Sequence, residues 1–158
     1  MVKNVKINVV SKQTLVLPVQ DGDGEELAEK LSGEPMITEV ESEGTLEYKH
    51  GTFTVYYPES EVTGLEGCVT SLSFTDMDPG SVSLYRTGPV KTVLMFAEGR
   101  RYISVYDTGF GSFEVGIVTL SCDNCIDENG GELSVVYTVE IKGSEAERTE
   151  LKINVRCV

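Results

Sequence analysis

Short alternating segments separated by tight turns run through nearly the whole chain, from Val5 to Arg156. Apolar and polar residues alternate along each segment, which is typical of strands with one face in a core and the other in water. Because short turns join the segments, consecutive strands are expected to pair as an antiparallel meander. The pattern predicts an all-β fold, either a sandwich or a barrel. A meander of this length would expose unpaired edges unless it closed, so we favour a single antiparallel barrel.

Length and continuity predict one domain. The chain has 158 residues, of which 40 % are hydrophobic, enough for a packed core. It shows no internal repeat and no linker, so residues 1–158 are predicted to form one barrel of about eight to ten strands. A polar, glycine-rich stretch at residues 18–35 is predicted to be an acidic surface excursion that contains one short helix near residues 25–32.

The charge balance narrows the classes of partner. The chain carries 26 acidic and 13 basic residues, a net charge of −13. Such a surface repels phosphate backbones and anionic lipids, so we expect no nucleic-acid partner and no membrane partner. The amino terminus lacks the features of a signal peptide, and no apolar run approaches the roughly 20 residues that span a bilayer. A cytoplasmic location is therefore expected.

The segment 36–49 is predicted to be a long strand with an acidic face. Glu39, Glu41, Glu43 and Glu47 share one parity, which period-two alternation places in solvent. A solvated face is the favoured interpretation of this row over a cation site. Gly44 interrupts the strand and predicts a bulge or a sharp coil there.

Cys122 and Cys125 have the C-x-x-C spacing, but their surroundings do not favour a metal or redox centre. A zinc site needs four ligands, and His50 is the only histidine in the chain. A thioredoxin-type motif opens a helix, whereas this one runs into a predicted hairpin at Asn129-Gly130. We therefore interpret the cysteines as incidental thiols and predict no metal and no cofactor.

Two predicted strands end their inward-facing rows on a charge. The row within residues 53–57 reaches Glu59 at the same parity, and the row within residues 82–84 reaches Arg86. If both strand ends lie at one rim, the two side chains could form an ion pair at the mouth of the barrel. Burying either charge alone would cost several kcal/mol, so a partner is expected. Equally open is that both strands have left the barrel there and the charges are in water.

The segment 106–111 is a second candidate for ligand contact. Two glycines beside Phe110 allow tight backbone turns near an opening. Tyr106 and Thr108 could supply hydroxyl groups that orient a ligand in an apolar pocket. The alternative is an ordinary loop between strands with a hydrogen-bonded tyrosine.

Several short segments occur in an ordered set along the chain. They are Val5-Lys6-Ile7, Tyr57-Pro58-Glu59-Ser60, residues 63–70, Leu84-Tyr85-Arg86-Thr87-Gly88, Met95-Phe96 and residues 106–111. Together they resemble the YwiB-like family, small bacterial proteins of unknown function with a calycin-like, lipocalin-like β-barrel. The resemblance covers roughly Val2 to Val155, implies an up-and-down barrel, and implies no activity. Its matching positions include Glu59, Thr70, Arg86, Tyr106 and Thr108.

The leading functional hypothesis is a cytoplasmic barrel that binds a small anionic or polar molecule in or at its mouth. Arg86 would face the ligand, Glu59 would orient Arg86, and Thr70, Tyr106 and Thr108 would add hydroxyl contacts. The alternative is a structural or protein-interaction barrel with a filled interior, in which the Glu59–Arg86 pair specifies the fold. An enzyme is a third class with thin support, and we assign no catalytic residue.

Overall fold

Ten strands form a closed barrel in the computed structural model, which describes residues 1–17, 30–60, 65–107, 111–141 and 144–158. The strands are β1 (Val2–Leu17), β2 (Lys30–Lys49), β3 (Thr52–Pro58), β4 (Val69–Thr75), β5 (Asp78–Thr87), β6 (Lys91–Ala97), β7 (Arg101–Asp107), β8 (Ser112–Asn124), β9 (Gly130–Ile141) and β10 (Ser144–Cys157). Each strand pairs antiparallel with its neighbours in sequence, and β1 closes the ring by pairing with β10. The predicted antiparallel barrel is confirmed.

The described residues contain no helix, and therefore none that could span a bilayer. Most of the helix predicted near residues 25–32 lies outside the described part of the chain. Its last residues belong to β2, where Lys30 pairs with Leu17 and Ser32 with Leu15 of β1. Residues 30–35 of the predicted excursion 18–35 are likewise strand. Ladder pairing with a long neighbouring strand outcompetes a two-turn helix, whose nucleation is unfavourable.

The core consists of the inward-facing rows that the alternation predicted. A layer of four directly paired side chains crosses β3 to β6, and each is 3 % exposed or less. The four residues are Val55, Leu72, Leu84 and Leu94. On the outer face of β2, Glu39, Glu41 and Glu43 are exposed, as predicted, whereas Glu47 is half-buried. The barrel is thus held together by apolar burial inside and presents charged side chains outside.

The two ends of the barrel differ. The terminal end carries both chain termini, since the Tyr48 amide donates to the Met1 carbonyl at 2.9 Å and Val158 donates to Asn4 at 3.2 Å. Its β2–β3 turn has positive φ at His50 (52°) and Gly51 (79°), the combination that a two-residue type I′ hairpin needs. The far end is the opposite one, where β3, β5 and β7 finish and β4 and β6 begin.

The seam between β6 and β7 is paired chiefly at the far end. Within these described strands the ladder joins Lys91 to Asp107 and Thr92 to Tyr106. Beyond that point the Ser104 hydroxyl donates to the carbonyl of Val93, so a side chain replaces a ladder hydrogen bond. This arrangement fixes the start of β6 and the end of β7 beside each other at the far end, where the candidate site lies.

Candidate functional site

A continuous row of polar side chains crosses five neighbouring strands at the far end. It runs through Tyr57, Thr70, Arg86, Thr92 and Tyr106, which are direct cross-strand partners from β3 to β7. Directly opposed residues on one face of a sheet have Cβ atoms about 5 Å apart, so neighbours in the row are within contact distance. The row lies one layer beyond the apolar layer of the core, so the interior changes from apolar to polar here.

Glu59 joins this row from the end of β3. Its amide donates to the Cys68 carbonyl at 2.9 Å, which continues the β3–β4 ladder beyond Pro58 and turns the side chain inward. Its Oε1 lies 3.7 Å from Arg86 Nη2 and accepts a 2.5 Å hydrogen bond from Thr70 Oγ1. The Glu59 and Arg86 side chains are 6 % and 16 % exposed. The two charges therefore meet inside the mouth, and the alternative that both are in water is wrong.

The ion pair balances the charge of Arg86 but does not meet the hydrogen-bonding requirement of its guanidinium group. A separation of 3.7 Å is an ion pair and is longer than a hydrogen bond. The Arg86 Nε is buried, and none of the described residues offers it a hydrogen-bond acceptor. Buried donors are nearly always hydrogen-bonded, and leaving one unmade costs about 1–3 kcal/mol. We call Glu59, Thr70, Arg86, Thr92 and Tyr106 the arginine site.

The charge of Arg86 acts on the two tyrosines of this row. Burial raises the pKa of Tyr57, with a further rise from the Glu59 carboxylate, while Arg86 and a hydrogen bond to Thr70 oppose it. Burial also raises the pKa of Tyr106, which is hydrogen-bonded to Thr92, and Arg86 opposes the shift. Both hydroxyls therefore stay protonated at neutral pH and can donate hydrogen bonds as well as accept them.

Residues of β9 and β10 that were not among the predicted site residues also belong to the polar surroundings of Arg86. The Thr149 hydroxyl donates to Glu147 Oε1 at 3.0 Å, and Tyr137 is hydrogen-bonded to Thr149. Burial raises the pKa of Tyr137, with smaller contributions from Tyr106 and Glu147. Glu147 could have been found in the same way as Glu59, because Glu147 precedes the apolar row of β10 and has the same parity as that row. Thr108, the remaining predicted contact, lies outside the described residues.

Comparison with known proteins identifies the family. Residues 28–153 match the family described as a domain of unknown function, DUF1934. The chain belongs to this family. The crystal structure of the YwiB protein from Bacillus subtilis is similar, with a TM-score of 0.70 and 20 % sequence identity over 97 % of this chain and 92 % of that one. No curated protein matches. The expected calycin-like barrel is confirmed, and DUF1934 membership carries no activity with it.

The C-x-x-C pair of this DUF1934 chain consists of free thiols in different surroundings. Cys122 is buried and Cys125 is exposed. Burial, followed by the Asp123 charge, raises the pKa of Cys122 to about 11. A reactive redox cysteine has a lowered pKa, so Cys122 is not an activated nucleophile. Within the described part of the chain, no three histidine, cysteine or acidic side chains are arranged to hold a metal ion.

Iodoacetamide is expected to modify Cys125 much faster than Cys122. At about pH 8, a pKa of about 11 instead of 9.0 leaves Cys122 with about a hundredfold less thiolate, and burial adds to the protection. Peptide mass spectrometry of timed samples measures both rates. The Cys125→Ser variant should lose the fast modification at this pair of positions, and unfolding in urea should remove most of the difference between the two cysteines. Similar rates in the folded protein would contradict the assignment.

Proposed function

We propose that the arginine site binds a small anionic molecule at the far end of the barrel, with Arg86 as its anchor. The observation that carries this proposal is the buried Arg86 Nε without an acceptor among the described residues. A carboxylate or phosphate oxygen is the strongest acceptor for a guanidinium N–H and would supply what the chain does not.

The neighbouring groups suit such a ligand. Glu59 Oε1 lies 3.7 Å from Arg86 Nη2, and the Nε–H has no acceptor among the described residues, so an incoming anion could supply one. Thr70 is committed to Glu59 by its 2.5 Å hydrogen bond, so it positions the carboxylate. The protonated Tyr106 hydroxyl can donate to the same anion as Arg86. Few convergent polar groups at the edge of an apolar interior are typical of small-molecule sites.

The test is a thermal-shift titration with a defined series of anions: acetate, inorganic phosphate and laurate. An anion present at about a hundred times its Kd would stabilise the fold by about 2.7 kcal/mol, a rise of roughly 5–10 °C in Tm for a domain of this size. The Arg86→Lys variant keeps the charge but loses the Nε–H, so its rise should be largely lost. Arg101→Lys, on the outer wall beside Glu140, should respond like the parent.

Native mass spectrometry of protein purified from its own host complements the titration, because the natural ligand need not be in the series. A co-purified mass present in the parent and reduced in Arg86→Lys supports the proposal. An equal Tm response of Arg86→Lys and parent would reject Arg86 as the anchor. No response to any anion, together with no co-purified mass, would favour the structural alternative, in which Glu59 and Arg86 serve only each other inside a filled interior.

A further inference from the structure

A concave site lies at the terminal end, on the opposite side of the core from the arginine site. It is an open cup of about 440 Å³, within the usual size range of small-molecule pockets. Its walls come from β2, β3 and β4 and from the β4–β5 and β8–β9 turns. Its lining includes Tyr48, Phe53, Phe74, Asp76, Asp127 and Glu128. We call it the aromatic cup.

Three aromatic rings form one wall of the cup. The Tyr48 and Phe53 ring centroids are 4.5 Å apart, and those of Phe53 and Phe74 are 5.3 Å apart and nearly parallel. Phe53 and Phe74 are 8 % and 4 % exposed, so the core holds these two rings in place. All three rings line the cup, and an aromatic ring attracts a cation at its face through its quadrupole, an interaction worth about 0.5–2 kcal/mol.

Carboxylates from two separate turns form the rest of the rim. Asp76 follows β4 and accepts a 2.6 Å hydrogen bond from the Tyr48 hydroxyl. Asp127 and Glu128 belong to the β8–β9 turn. The Asp76 hydrogen bond is the main cause of the raised pKa of Tyr48, and the Glu128 charge adds to it, so both turns direct negative charge to the same hydroxyl.

The described lining of the cup has no cationic side chain. Of the described residues that line the cup, none is Lys, Arg or His, and no ion pair in the described part of the chain involves its three carboxylates. Two ammonium groups already lie beside it: Lys3 Nζ donates to the main-chain oxygen of Glu128 at 2.7 Å, and the Met1 amino group donates to the Tyr48 carbonyl at 3.2 Å. The rim thus accommodates an ammonium group at its edge.

We propose that the aromatic cup binds a small organic cation, with an alkylated or quaternary ammonium group against the rings and the carboxylates around it. A hard metal ion requires several converging oxygens, to which an aromatic wall contributes nothing. Rings and carboxylates together suit an organic ammonium, because the rings take its apolar surface and the acids its charge. This proposal does not rest on the anion site, which lies at the other end of the barrel.

The proposal is tested with a matched pair of ligands, choline and its neutral isostere 3,3-dimethyl-1-butanol. Binding of each ligand to the full chain is measured by backbone amide NMR. Choline should bind saturably with a Kd of about 1 mM or tighter and shift amides of residues 48, 76 and 124–128. The isostere has the same shape without the charge and should bind at least about tenfold more weakly. Asp76→Asn should weaken choline about threefold to tenfold, whereas Glu41→Gln, on the outer face of β2, should leave it unchanged.

The ring contribution is tested by Tyr48→Phe and Tyr48→Leu, which avoid the more deeply buried phenylalanines. The phenylalanine variant keeps the ring and loses the hydrogen bond to Asp76, so choline affinity should be retained. The leucine variant should weaken it. The proposal is overturned if choline and the isostere bind equally, if Asp76→Asn binds choline like the parent, or if no saturable binding occurs at about 10 mM.

Discussion

Replacing Arg86 by methionine is expected to lower the free energy of unfolding by about 3–5 kcal/mol. Methionine fills much of the same space, so the loss reflects the charge more than a cavity. The Glu59 carboxylate, 6 % exposed, would keep its hydrogen bond from Thr70 but lose the cation that balances it. Urea unfolding followed by far-UV circular dichroism measures the change, and the chain, which has no tryptophan, suits this probe.

Two comparisons separate a buried pair from a general effect of losing arginine. The double variant Glu59→Gln/Arg86→Met should lose less stability than the sum of the two single variants, because it leaves no uncompensated charge. Arg101→Met removes an arginine whose side chain is 49 % exposed and 3.0 Å from Glu140, so it should cost at most about 1 kcal/mol. Strict additivity, or equal losses for Arg86→Met and Arg101→Met, would contradict the buried pair.

The barrel could be predicted because its strands and turns each have a recognisable local pattern in the sequence. Period-two alternation indicates which side chains face inward, and turn residues such as His50-Gly51 indicate where the chain reverses. The prediction was weakest for the helix near residues 25–32. Its last residues are strand because Leu17 and Leu15 of β1 pair with Lys30 and Ser32, a long-range contact that no local pattern reveals.

The arginine site was predictable in part for the same reason. A charge that continues an apolar row, as Glu59 and Arg86 do, is visible in the sequence without knowledge of the register. That Thr70 lies opposite Arg86 depends on the register, since a slip of one residue would turn it outward. Glu147 continues its row in the same way, although it was not among the predicted site residues.

The aromatic cup could not be predicted from these patterns. Phe53 has the alternation of an ordinary core residue, and Asp76 and Glu128 belong to turns that are distant in sequence. Strand alternation places the β4–β5 and β8–β9 turns at the same end as the aromatic rings, but only closure of the barrel brings them next to each other. Sites assembled from several turns carry no spacing signal, so their chemistry becomes visible only once the topology is known.

Gly44→Ala is expected to destabilise the barrel by about 3 kcal/mol, which corresponds to a drop of roughly 6–12 °C in Tm. Gly44 lies in β2 opposite Val5, and its backbone closely approaches that of β3. A Cβ added there would lie 2.0 Å from the Tyr56 carbonyl oxygen and 2.7 Å from Ile7 Cδ1. A main-chain carbonyl within the sheet cannot move aside alone, so the two strands would have to separate.

Two further variants show which of these contacts matters. Gly80→Ala is the matched control, because a Cβ there would meet only Asp78 Oδ1 at 3.8 Å, and its stability should be unchanged or slightly higher. Ile7→Val removes the methyl group at 2.7 Å but leaves the carbonyl, so the pair Ile7→Val/Gly44→Ala should recover little of the loss. Recovery of most of it would show that side-chain crowding, and not the approach of the two backbones, requires glycine at this position.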